Sequence, residues 1–226
     1  MILAVTAGKG GVGKSTVAYN LAAELGGVAV DADLGMADLP NARGPDLHDV
    51  LAGRASPLEA VQQVGSVSIL PCGRSLAGAR AADPAALVDV VETIGQRYGR
   101  VVIDTPAGLR SDAGVPLLAA DGCLLVTRPT RPAVADAVRA RELARVVETP
   151  LVRVALNRVE PSRVGEETGR ERRLADTLGA PVRKIPESEA VARAQRSGQP
   201  VRALDSDTTA ATQFERLASE VERALA

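Results

Sequence analysis

Short runs rich in Val, Ile, Leu and Ala punctuate the chain at Ile2 to Thr6, Val28 to Asp31, Val67 to Leu70, Val101 to Asp104, Cys123 to Thr127, Val152 to Leu156 and Val182 to Ile185. Most are apolar on consecutive rather than alternate positions, the pattern of strands buried on both faces. Between them, apolar residues recur at helical spacing over Lys14 to Leu25, Pro84 to Tyr98, Ala113 to Ala120, Pro132 to Val147, Arg170 to Leu178 and Glu187 to Ser197. Asp83-Pro84, Asp112, Pro132 and Pro186-Glu187 supply helix-start signals, because a short acceptor side chain or a proline suits the first turn, where N–H groups lack partners. Strand and helix in alternation predict an α/β fold: a mostly parallel, twisted sheet with helices on both faces, in three αβα layers. No repeat, low-complexity tract or Ser/Pro-rich linker interrupts the series, so residues 1–226 are expected to form a single domain.

Composition leaves this architecture unchanged but narrows the chemistry. With one histidine, His48, the chain cannot build a His-based zinc site, and a Ser/His/Asp triad would have to run through a residue whose surroundings read as a helical turn. One Phe, two Tyr and no Trp leave little on which to stack splayed bases. The formal net charge of −1 argues against a surface built throughout to hold DNA. Cys72 and Cys123 stand apart rather than in a Cys-x-x-Cys pair, and no charged segment followed by an apolar one opens the sequence. A reduced, cytoplasmic protein is the expectation. Of 27 basic residues only Lys9, Lys14 and Lys184 are lysine.

Two of those lysines fall in Gly8-Lys-Gly-Gly-Val-Gly-Lys-Ser-Thr16, directly after the first predicted strand and directly before a predicted helix. Gly8, Gly13, Lys14 and Ser15 fit the G-x-x-x-x-G-K-[ST] phosphate loop in the context that loop requires. Glycines at 8, 10, 11 and 13 let backbone N–H groups, that of Val12 among them, turn inward onto phosphate oxygens at the positive end of the following helix. Lys14 is placed for the β- and γ-phosphates, the Ser15 hydroxyl for Mg2+ and Thr16 for the α-phosphate. Arginine's planar fork does not fit in so tight a loop, which explains a lysine here in an arginine-rich chain.

Carboxylates follow at strand ends. In Val30-Asp-Ala-Asp-Leu-Gly35, Asp31 and Asp33 are two residues apart and point together toward the crevice above the carboxyl ends of the sheet. Val101-Val-Ile-Asp-Thr-Pro-Ala-Gly108 is an apolar strand ending in Asp104, the position of the Walker B carboxylate that holds Mg2+ in phosphate-loop ATPases.

Lys9, the D-x-D-x-G pattern and the D-[ST]-P-A-G segment together resemble the deviant Walker A ATPases, the family of MinD, ParA and the nitrogenase iron protein, with the MinD-like branch nearest. The resemblance covers Ile2 to about Val201 and implies a fold and an activity: a P-loop ATPase hydrolysing ATP to ADP with Mg2+ as cofactor. It implies that Lys9 reaches across an ATP-dependent homodimer to the partner's nucleotide, that Asp33 orients the attacking water and that Asp31 supports the metal. It also implies that Gly108 lies near the γ-phosphate, while Asn157 and Pro186 meet the adenine. The implied role is a molecular switch in division-site selection or intracellular positioning, acting with an unidentified regulatory or cargo protein.

The chain departs from the MinD branch twice. Its last segment, from Phe214, places Phe214, Leu217, Val221 and Leu225 on one helical face but matches basic residues with acidic ones, so a capping helix rather than a membrane anchor is expected. Arg128-Pro-Thr-Arg-Pro132 replaces the branch's Pro-Glu and Ser-rich turn, where partners bind, so the regulator is not identified by resemblance. A ParA-type ATPase binding DNA nonspecifically is the alternative, though six acidic residues offset nine basic ones between 163 and 202. A metal-centre assembly ATPase is a further alternative, disfavoured by cysteines 51 residues apart.

Overall fold

The computed structural model describes residues 1–35, 39–40, 43–73, 76–108, 113–166 and 169–226. Its strands are β1 Ile2–Thr6, β2 Val28–Asp31, β3 Gln62–Val64, β4 Val67–Leu70, β5 Val101–Asp104, β6 Gly122–Thr127, β7 Leu151–Val159 and β8 Val182–Pro186. Among the described residues they form one eight-stranded sheet in the order β3-β4-β2-β5-β1-β6-β7-β8. Every pairing is parallel except the β3–β4 edge hairpin. The order reverses at β1, so the crevice opens above its carboxyl end.

Consecutive apolar residues along each strand serve two cores in alternation. Leu3, Val5, Ala29 and Val102 pack with α1 Lys14–Leu25 and α11 Thr209–Ala224, joined by α9 Glu189–Arg196 and α10 Val201–Leu204. Val28, Val30, Val101 and Ile103 face the opposite layer, with α2 Leu47–Leu51, α3 Pro57–Ala60 and α5 Leu87–Tyr98. On that side α7 Arg131–Val146 and α8 Gly169–Leu178 cover β6 and β7. The short helices α4 Leu76–Ala81 and α6 Gly114–Leu118 complete the set. The apolar face of α11, with Phe214, Leu217 and Val221 wholly buried, caps the sheet as its pattern predicts.

The element boundaries differ from expectation where proline decides. Pro186 pairs with Val159 and closes β8, so the helix expected from Glu187 begins at Glu189 after Ser188. Pro84 starts a 3-10 turn, Pro84–Ala86, capped by the Asp83 carboxylate on the Ala85 N–H, and the α-helix begins only at Leu87. The cap expected of Asp112 lies outside the described residues.

Candidate nucleotide site

The loop between β1 and α1 is shaped by its glycines and held from behind. Gly13 takes φ +96° at the start of α1, a left-handed conformation that favours glycine. A Cβ there would stand 2.2 Å from Asn157 Nδ2, and one at Gly8 would stand 2.0 Å from the Asp136 carbonyl oxygen. These close approaches let α7 and the end of β7 clamp the loop. The Asn157 amide donates to the Val12 carbonyl at 2.8 Å, and both residues are buried. Gly10 and Gly11, by contrast, have open space where a side chain would go, and both line the cleft above.

Under the loop lies a buried charge cluster. The β2–β5 register sets Asp31 directly opposite Asp104, both wholly buried. Lys14 Nζ, itself buried, donates to Asp104 Oδ1 at 2.5 Å. Burial, and then the Asp104 charge, push the Asp31 carboxyl up to about 7, against the opposing pull of N–H donors from Leu39 and Asp33 and of Lys14. Lys14 thus stands between two buried carboxylates whose mutual repulsion helps to raise Asp31. The two buried carboxylates, and the Ser15 hydroxyl on the cleft lining, are hard oxygens of the type that Mg2+ takes.

The cleft above has a volume of about 650 Å3. Lys9, Gly10, Gly11, Gly13, Lys14, Ser15 and Thr16 form its floor, with Asp33 and Gly35 on one side and Ala107 beside them. Gly108 stands against the loop, its N–H donating to the Ala7 carbonyl at 3.0 Å. Lys9 is partly exposed and lies 3.8 Å from Asp136 of its own chain. The Thr16 hydroxyl is engaged by Gln195 at 3.2 Å.

Asn157 and Pro186, expected at the adenine, do not line this cleft: the first is turned onto the loop backbone and the second is buried in β8. The far wall comes instead from Tyr19, Asn20, Arg158, Gln195, Arg196, Gly198 and Gln199, none singled out by motif. Arg158 carries a signal only in the backbone, a left-handed φ of +55° that re-aims its side chain at the cleft as β7 ends. Tyr19 donates to the Gly198 carbonyl at 2.8 Å and ties α1 to that wall.

A family model described as the CobQ/CobB/MinD/ParA nucleotide binding domain matches residues 3–201. An uncharacterised ATP-binding protein of Methanocaldococcus jannaschii is 36% identical over 230 residues, spanning 97% of this chain and 87% of its own. Among solved structures, the cell division ATPase MinD of Pyrococcus furiosus superposes with a TM-score of 0.88 at 30% identity, covering 98% of both chains. The septum site-determining protein MinD of Pyrococcus horikoshii, in complex with Mg-ADP, superposes with a TM-score of 0.87 at 30% identity, over 98% of this chain and 96% of its own.

Proposed function

Because the chain belongs to the CobQ/CobB/MinD/ParA nucleotide-binding family, we propose that it is a Mg2+-dependent ATPase whose ATP-bound form is a homodimer and whose hydrolysis dissolves that dimer. The observation that carries the reading is the buried Lys14–Asp104–Asp31 cluster beneath an open glycine loop, a lysine and two carboxylates poised under a phosphate-sized cradle.

On this reading the N–H groups of Gly10, Gly11, Gly13 and Lys14 bind phosphate oxygens, and Lys14 turns from Asp104 toward the β- and γ-phosphates. Ser15, Asp31 and Asp104 would hold Mg2+, which neutralises charge as the phosphoryl group transfers. Asp33, on the cleft wall, orients the attacking water. Lys9 is held by Asp136 of its own chain and acts on the nucleotide of the second copy once that contact opens. Residues 1–226 work as one domain, which the packing of α11 back onto α1 and β8 supports. By similarity to MinD proteins, the switch serves division-site selection or another intracellular positioning task, through a regulator or cargo protein of its own.

Size-exclusion chromatography with light scattering, with and without Mg-ATP, tests the scheme. The wild type should dimerise transiently with ATP and Asp33→Ala should accumulate as an ATP-bound dimer. An Asp33→Ala chain that stays monomeric with ATP bound would refute the dimer, and one that turns ATP over at the wild-type rate would refute the water-orienting role.

A further inference from the structure

The only histidine is buried beside the water-orienting segment without belonging to the nucleotide loop. His48, on α2, is 2% exposed. Its Nε2 lies 3.3 Å from the Leu34 carbonyl oxygen, and since a carbonyl only accepts, the contact is a hydrogen bond in the tautomer that carries its proton on Nε2. The Cys72 sulfur, 3.5 Å from the same nitrogen, shares that proton weakly. On the other side of the ring, Nδ1 is buried with no hydrogen-bond partner among the described residues. An apolar ring would avoid the cost of that orphaned nitrogen, so the bond made by Nε2 is the reason for an imidazole here.

The surroundings are cut to fit the ring. A Cβ at Gly73 would stand 2.3 Å from Nδ1 and one at Gly78 2.9 Å from it. Neither glycine has the left-handed φ that would account for it otherwise, so both make room for the imidazole.

Leu34 is the residue between Asp33 and Gly35, the two members of its segment that line the cleft. The segment is already fixed on its upstream side, where the Ala32 N–H donates to the Asp104 carbonyl at 2.9 Å and the Asp33 N–H to Asp31 Oδ1 at 3.3 Å. Downstream of Asp33, His48 holds the Leu34 carbonyl, and the Leu39 N–H donates back to Asp31 Oδ2 at 3.1 Å.

We propose that His48 is a positioning residue for hydrolysis: its Nε2–H bond to the Leu34 carbonyl fixes the Leu34–Gly35 peptide, one residue past Asp33, and so helps to aim the Asp33 carboxylate at the attacking water. The inference rests on the ATPase reading above, and the experiment separates the two. Single-turnover hydrolysis of Mg-ATP is measured with wild type, His48→Leu, His48→Gln and the double variant His48→Leu/Asp33→Ala. A wild type with no turnover overturns the ATPase reading itself.

With an active wild type, His48→Leu should lose about tenfold in kcat, about one hydrogen bond's worth, while KM for ATP stays within about twofold. Glutamine, whose amide reaches the Nε2 position, should restore most of kcat. In the Asp33→Ala background His48→Leu should cost nothing further. Unchanged kcat in His48→Leu, an equal loss in His48→Gln, or an additive loss in the double variant would each overturn the inference. Should His48→Leu fail to fold, 15N-histidine-labelled wild type gives one imidazole spin system. Its Nε2–H signal should be present and should move on saturation with Mg-ATP; an Nδ1–H tautomer, or no movement, overturns it.

Discussion

Two of the three lysines in this arginine-rich chain, Lys14 and Lys184, are buried. Lys14 Nζ meets the buried Asp104 carboxylate with a single compact ammonium, and Lys184 Nζ, also buried, gathers the Arg163 and Glu166 carbonyls from the chain ahead of α8 and the Glu171 carboxylate on α8. Lys14→Ala should therefore do two things. It should abolish Mg-ATP binding by calorimetry, and it should lower the unfolding free energy by roughly 3 kcal/mol, since it strands a buried carboxylate; denaturant titration reads the second effect. The cysteines behave oppositely to reactive ones. Burial pushes the Cys123 thiol up to about 12, only slightly countered by Arg141, and burial together with Asp31, Asp46 and Asp33 pushes Cys72 up as well. Both stay thiols, so native protein should resist a thiol-alkylating reagent that labels both cysteines in denaturant.

Among elements, the phosphate loop depends on supports far away in sequence. Gly13→Ala should strain the left-handed φ and displace Asn157 from Val12, weakening nucleotide binding at least tenfold while the sheet stays folded, as circular dichroism and calorimetry together would show. Phe214→Ala, at the centre of α11, should cost about 3–5 kcal/mol, because it opens a cavity against α1 rather than thinning a surface helix. What could be read in the sequence at this scale follows from how local each signal is. The central strands and the glycine loop announce themselves in short windows of residues. The strand β3 does not: Gln62-Gln63-Val64 is short and mostly polar, and only its pairing with β4 makes it a strand. Tyr19, Gln195 and Gln199 meet at the cleft because the Thr16–Gln195 and Tyr19–Gly198 bonds tie α1 to the end of α9 and the turn after it, a relation that no window of sequence contains. Asn157 was visible as a polar residue at a strand end, but its aim depends on which loop it meets.

For the whole molecule, the groups proposed to hold the nucleotide are also buried members of the fold. Asp31, Asp104 and Lys14 carry an electrostatic cost that Mg-nucleotide would relieve, so saturation should stabilise the native state measurably. At a ligand concentration a hundredfold above Kd the gain is about 2.7 kcal/mol, which in a chain of this size raises Tm by roughly 5–11 °C. Thermal scans with Mg-ADP, with ADP in EDTA and with Mg2+ alone should rank in that order. The topology carries a consequence for how the molecule comes into being. Leu3 pairs with Val102 on one side and Gly122 on the other, so the strand that launches the phosphate loop has no neighbours until β5 and β6 exist. During synthesis the glycine loop must wait, unformed, while more than half of the chain emerges, and a nascent chain released before β6 should have no nucleotide affinity at all. The first motif in the sequence thus takes shape only after strands more than a hundred residues downstream, and long-range closure of this kind is slow.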